Sequence, residues 1–195
     1  MMNSGQMGMN KNRAAEMHFL IKTGEDEVTE SAFYATALTT GTVLGLGIGS
    51  RVEDVERILG PDFLDDPGRG TLRRDYGLVE FGFEHDHGWT CRVISIQVHR
   101  LACQGDDTVP AALREKYGSF APFVRYESLA PALAAQGYTT HIDWEDPHAG
   151  FRVLQVDQTG TEIVVVADEE ADRTGERPGY GDVWSISLSL SHEGQ

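Results

Sequence analysis

Gly47-Ile-Gly-Ser50-Arg-Val52-Glu53-Asp54-Val55-Glu-Arg-Ile58-Leu59-Gly60-Pro61 is the best-punctuated stretch of the chain, and the fold is read outward from it. Ser50 followed three residues on by Glu53 has the form of a capping box. Its hydroxyl takes an orphan helix N–H and its carboxylate reaches back to the Ser50 N–H. Val52, Val55, Ile58 and Leu59 fall on one helical face. Gly60 suits a left-handed cap, and Pro61 cannot continue a helix. A short helix with both ends marked is therefore predicted, followed by a polar Asp/Pro/Gly loop over 62–70.

Strands follow that loop. Leu72–Tyr76 is short. Leu78–Glu84 alternates, with Val79, Phe81 and Phe83 on one side and Glu80, Gly82 and Glu84 on the other. His85-Asp86-His87-Gly88 is the hairpin turn to a strand over Trp89–Leu101. In that strand Ile94, Ile96 and Val98 oppose Trp89, Cys91 and Val93, so it is covered on both sides at its start or bulged. Upstream, 29–38 reads as a helix burying Phe33, Tyr34, Ala37 and Leu38, with a strand through 32–36 as the alternative. Gly41–Gly49 reads as an extended connection.

The pattern resumes after a polar link. Thr108 caps and Pro110 opens a helix that buries Leu113 and Tyr117 and stops at Gly118. A further helix runs from 127 to 136, with Ser128 as cap so that Pro131 stays in the first turn. Strands are predicted over 138–144, with Tyr138, Thr140, Ile142 and Trp144 on one face, over 151–156 and 161–167, and over Val183–Leu190. In the last of these Trp184, Ile186, Leu188 and Leu190 oppose Ser185, Ser187 and Ser189. The fold class is α+β, built as two helix-then-antiparallel-meander units with the short helices packed on one face of an antiparallel sheet. A disordered leader over 1–16, a unit over 17–101, a link over 102–109 and a unit over 110–192 describe the organisation, as separate units or as one continuous domain. Met17 is an alternative start. The repeat is one of layout, not of residues.

Composition narrows the function. A formal net charge of −15 in 195 residues disfavours nucleic acid and anionic membranes, which require a positive footprint, and suits a basic protein partner. No apolar run approaches a membrane span, and the polar N-terminus has no signal-peptide core, so a cytoplasmic location is expected. The two cysteines, Cys91 and Cys103, imply no disulfide framework.

The candidate chemistry is sparse. His85, Asp86 and His87 form the densest set of metal-ligand types, which makes a metal-binding or hydrolytic site one alternative and a polar hairpin tip the other. The glycines of 41–49 lack the spacing of a dinucleotide fingerprint and the Lys-Ser/Thr of a P-loop. Asp143, Glu145, Asp146 and His148 beside Trp144 suggest a carboxylate pair or an acidic rim. No nucleophile elbow and no supported catalytic cysteine are present. No catalytic residues, metal ligands or cofactor are therefore assigned. Aromatic residues ringed by carboxylates on a sheet are what an interface for a basic partner uses, which selects Tyr76, Glu80, Trp89, Asp143, Trp144 and Glu145 as contact residues. A structural domain is the remaining reading.

The 47–61 helix, the strand Tyr76-Gly77-Leu78-Val79-Glu80-Phe81 and the strand ending Ile94-Ser-Ile-Gln97 together resemble a known unit. They are similar to the small α+β module of the beta-lactamase inhibitor protein and of the outer-membrane assembly lipoproteins, and to immunity-type proteins of actinobacteria. The resemblance covers about residues 43–101. It implies a tandem of modules and a binding surface on the sheet, without catalytic residues. This chain has neither a disulfide pair in each module nor a lipobox cysteine.

Overall fold

The computed structural model describes residues 29–146 and 148–189. The predicted leader over 1–16 and Leu190 lie outside them. Five α-helices and one eight-stranded antiparallel sheet make up the described residues, an α+β fold. In chain order these are α1 (Glu30–Thr40), α2 (Val52–Leu59), β1 (Leu64–Pro67), β2 (Thr71–Asp75), β3 (Val79–His85) and β4 (Trp89–Ile96). Then come α3 (Arg100–Gln104) with a 3-10 turn (Gly105–Thr108), α4 (Ala111–Tyr117), α5 (Tyr126–Ala135), β5 (Thr140–Asp146), β6 (Phe151–Val156), β7 (Glu162–Val166) and β8 (Val183–Ser189). No helix among the described residues is long and apolar enough to cross a membrane.

The strand order is β1-β2-β3-β4-β8-β7-β6-β5. Each half is a meander that starts at an outer edge, and the halves meet at the β4–β8 seam, where Ile96 faces Ile186 and Ile94 faces Leu188. One side of the sheet buries Phe81, Phe83, Ile94, Ile186 and Ile163 against Phe33, Tyr34 and Leu38 of α1, Val55 of α2, Leu113 of α4 and Leu133 of α5. This single apolar core explains why the helices are short: each needs only enough turns to cover its own strip of sheet.

The helix α1 forms as read, with the four predicted residues buried. Gly41 takes the left-handed cap, and the Thr39 and Thr40 hydroxyls donate to carbonyls one turn back. The capping box at α2 does not form. Arg51 occupies the cap position, Ser50 Oγ instead accepts the Gly47 N–H at 3.0 Å, and Glu53 pairs with Arg51 at 3.6 Å. Backbone pairing is the reason. Gly49 N–H donates to the Cys91 carbonyl and Cys91 N–H to the Ser50 carbonyl, so residues 49–51 run as a strand beside β4 and the helix begins only at Val52. Gly60 has positive φ but extended ψ, not the left-handed helical cap. The 41–49 segment is a tight turn in which Leu44 and Gly45 both have positive φ and Val43 pairs with Leu46, rather than an extended connection.

Four further expectations are corrected. The 62–70 loop contains β1, an exposed edge strand without an apolar pattern, held by main-chain pairing to β2. The strand from Trp89 ends at Ile96 rather than Leu101, and the expected link is largely helical. Arg125, not Ser128, caps α5. The Ser128 hydroxyl donates to the Arg125 carbonyl at 2.6 Å, and Pro131 lies inside the helix with its ring on the exposed side. The β5–β6 register skips Asp143, which moves Trp144 to the face opposite Ile142.

The repeat extends to residues. Arg51 and Arg125 each cap the second helix of their half. Each bridges to the strand that ends its half, at Thr90 and Asp182, and each pairs with a glutamate two residues on, Glu53 at 3.6 Å and Glu127 at 3.5 Å. Two residues beyond each bridge partner the last strand carries a bulge, at Arg92 and at Trp184. Cys91 then matches Val183, Ile94 matches Ile186, and Phe81 matches Ile163. All six are buried, because the shared core constrains them.

Burial pushes the Cys91 thiol up to about 12, whereas Cys103 is exposed. Thiol titration of the native protein should therefore modify Cys103 rapidly and Cys91 only after unfolding.

Candidate interaction face

The face of the sheet opposite the helices carries an unbroken polar row. Register links Gln155, Glu162, Ser187, Ser95, Glu80 and Asp75 across β6, β7, β8, β4, β3 and β2. Along this row the central strands β4 and β8 present only the short side chains of Ser95 and Ser187. With the exception of Glu80, the residues of this row are accessible to solvent.

The two halves of the face differ at matching positions. In the first half Asp66, Arg73 and Gly82 lie side by side across β1, β2 and β3. In the second half Trp144, Val153 and Val164 occupy the equivalent places on β5, β6 and β7. Thr71 corresponds to Phe151, and the bulge residue Arg92 to Trp184. The first half is thus ionic and the second apolar, on one backbone design.

The ionic half is built around Glu80, which is 8 % exposed. Arg100 reaches back from α3 to bond Glu80 at 2.5 Å, Asp75 at 2.9 Å and the Gly77 carbonyl at 2.7 Å, and Gln97 donates to Glu80 at 3.3 Å. Burial opposes the Arg100 charge, but Asp75 and Glu80 outweigh it and hold its pKa above the ordinary value. Arg73 lies 3.9 Å from Glu80 and 3.2 Å from Asp66. Beside this network runs a groove of about 530 Å³ lined by Arg73, Gly82, Glu84, Arg92 and Ser95. Its charges are largely satisfied within the chain.

The apolar half is the more available. Trp144 is 49 % exposed. Phe151 meets Trp184 edge-on at 5.2 Å, and the other side of Trp184 is stacked by His99 at 4.3 Å. Exposed acidic residues flank this half, Asp143 on β5 and Asp168, Glu169, Glu170 and Asp172 in the 167–182 loop, while Glu145, in register with Arg152, is exposed on the helical side of β5. That loop lies at the same end of the sheet as the β5–β6 turn, since Ala167 N–H donates to the Gly150 carbonyl at 2.8 Å. It is ordered rather than loose. Arg173 forms a bidentate pair with Asp182, the Gly179 N–H donates to Asp182 at 2.9 Å, and Arg173 lies over the Phe123 ring.

The six residues selected from sequence do not form one cluster. Tyr76 is 6 % exposed, and its ring packs on Phe63 and Phe81 in the core. Glu80 is buried under Arg100. Trp89 sits on the helical side, packed against the core and meeting the His85 ring edge-on, because the bulge at Arg92 brings Cys91 and Ile94 to the same face. Asp143, Trp144 and Glu145 lie together on the far edge strand, with Glu145 3.2 Å from Arg152. β3 and β5 are five strand spacings apart, roughly 24 Å. Val153, Val164, Phe151 and Trp184, which complete the apolar half, were not selected. Trp184 among these, and the selected Trp144, change face at bulges that strict alternation does not anticipate.

Among the described residues no group of three or more His, Cys, Asp and Glu is arranged to hold a metal. His87 is almost fully exposed at the hairpin tip, 3.5 Å from Asp86. His141 pairs with Asp157 at 2.5 Å and His99 stacks on Trp184, so both are engaged away from the hairpin tip.

His99 provides a pH test of the stacked pair. Burial lowers its pKa from 6.5, with Arg100 adding to the effect, while the Trp184 carbonyl and Glu80 act the other way. The folded state thus disfavours protonation. The His99 contribution is complete above about pH 6.5 and is lost as pH falls through the lower folded pKa. A His99→Phe variant, which keeps the stack, should show a shallower fall in urea-unfolding stability between about pH 7 and pH 5. An unchanged slope would remove His99 as a source of acid sensitivity.

No protein-family model, curated protein or solved structure matches the chain.

Proposed function

We propose that this chain is a protein-binding module of the immunity or inhibitor kind that neutralises a basic toxin or enzyme through the open face of its sheet. One observation carries the reading: an apolar strip of Trp144, Val153 and Val164 lies on a sheet face that no described helix covers, beside exposed carboxylates. Large aromatic residues set among polar ones are the usual energetic centre of a protein interface. A net charge of −15 accelerates encounter with a cationic partner. The resemblance read over residues 43–101 points to the same use of the sheet. We take the cytoplasm as the site of action, which two unpaired cysteines suit.

The test is purification of the chain with its bound protein from the source cells, followed by assay of that protein alone and with the chain added. The expected partner is basic, associates faster as ionic strength falls, and loses its activity in the complex. A partner that is acidic, or whose activity is untouched at saturation, contradicts the proposal.

A further inference from the structure

The two outer edges of the sheet are equivalent under the internal repeat, and they differ in length and in proline content. On β1 the edge is four residues long and ends in Pro67, and its aspartates are held by ion pairs. Asp65 forms a bidentate pair with Arg74 at 2.8 and 2.9 Å, and Asp66 contacts Arg73 at 3.2 Å. Short length, proline and charge are the ordinary guards of an edge strand.

The matching edge, β5, is seven residues long, contains no proline and is exposed at every residue from His141 to Glu145. The skip at Asp143 places Ile142, 52 % exposed, on the helical side and Trp144, 49 % exposed, on the open side. A strand laid along this edge would be gripped from both faces. Two copies of this chain paired here would bring Asp143 and Glu145 of each against carboxylates of the other, on proteins that both carry −15. The complementary occupant is an extended segment in which cationic residues alternate with apolar ones.

We infer that β5 is a strand-addition site, and that the basic partner of the proposed function docks an extended cationic-apolar segment on it as a ninth strand, its apolar side chains continuing the Trp144, Val153 and Val164 strip. The inference rests on that functional reading and adds the mode of recognition. Main-chain hydrogen bonds supply affinity in such an arrangement, and side chains on alternate faces supply selectivity.

The experiment uses the full chain and a blocked peptide of alternating lysine and valine as long as β5. The control is the same peptide methylated at alternate backbone nitrogens, which keeps charge and composition but removes the ladder donors. Binding is followed by the anisotropy of a dye on the peptide. The unmethylated peptide should bind at least about tenfold more tightly than the methylated one. Trp144→Ala should weaken it by a comparable factor, and Leu64→Ala on β1 should leave it unchanged, with both variants checked for unaltered melting. Equal binding of the two peptides overturns strand addition while leaving a basic partner at this surface standing. Failure of both peptides to bind overturns strand addition and counts against the basic-partner reading together.

Discussion

Phe81→Ala is expected to lower the unfolding free energy by about 4 kcal/mol, the usual cost of deleting a fully buried phenylalanine. The ring is completely enclosed at the middle of β3, edge-on to Tyr76 at 6.1 Å and beside Phe83 at 6.2 Å. Its strand faces both β2 and β4, so a cavity there removes contacts from the whole first meander. Truncation of the larger but half-exposed Trp144 should by contrast change stability by no more than about 0.5 kcal/mol. Urea melts of the two variants measure the difference. A loss for Trp144→Ala as large as that for Phe81→Ala would mean that Trp144 belongs to the core and not to the surface.

The second large effect is expected at Arg173. Asp182 is completely buried, and its carboxylate is satisfied by Arg173 and by the Gly179 N–H. Arg173→Met keeps the packing over Phe123 but leaves a buried carboxylate without its cation, which costs about 3 kcal/mol. Asp182→Asn in the same chain should recover most of that loss, because the side-chain carbonyl still accepts from Gly179 and no charge remains. If the double variant is no more stable than Arg173→Met alone, the loss comes from the loop and not from the buried charge.

Much of this architecture is legible in the residues because the core imposes it. Phe33, Tyr34, Ala37 and Leu38 mark α1. The alternation of Val79, Phe81 and Phe83 marks β3, and Phe151–Val156 marks β6 to the residue. The failures have definite physical sources. β1 has no apolar face to display, since this edge strand is held by main-chain pairing to β2 and by the ion pairs of Asp65 and Asp66. Ser50 and Glu53 suit a cap, but pairing of residues 49–51 with β4 outweighs it, as tertiary structure commonly outweighs local propensity.

The candidate surface is less legible, because one extra residue in a strand inverts the faces beyond it. Asp143, Arg92 and Trp184 each do so. A signal for the residue-level repeat was available. Arg51-Val-Glu53-Asp-Val55 and Arg125-Tyr-Glu127-Ser-Leu129 share arginine, glutamate and an aliphatic residue at the same spacing. Aligning the halves on that motif and on the bulges pairs Phe81 with Ile163, Cys91 with Val183 and Ile94 with Ile186 inward; outward, Glu80 and Ser95 meet Glu162 and Ser187, whereas Asp66, Arg73 and Gly82 meet Trp144, Val153 and Val164. The inward residues answer to a common core. Beyond the polar row the outward residues diverge into an ionic and an apolar half, and that divergence supports the proposed recognition surface.

Site-specific photo-crosslinking tests that assignment most directly. A benzophenone side chain is placed at Val164 on the open face in one variant and at Glu115 on α4, on the helical side, in another. Each is irradiated in the source cells. The expected result is one dominant adduct with a basic protein from position 164 and none from position 115. Adducts from position 115 alone, or the same set from both positions, would contradict the open face as the interaction surface.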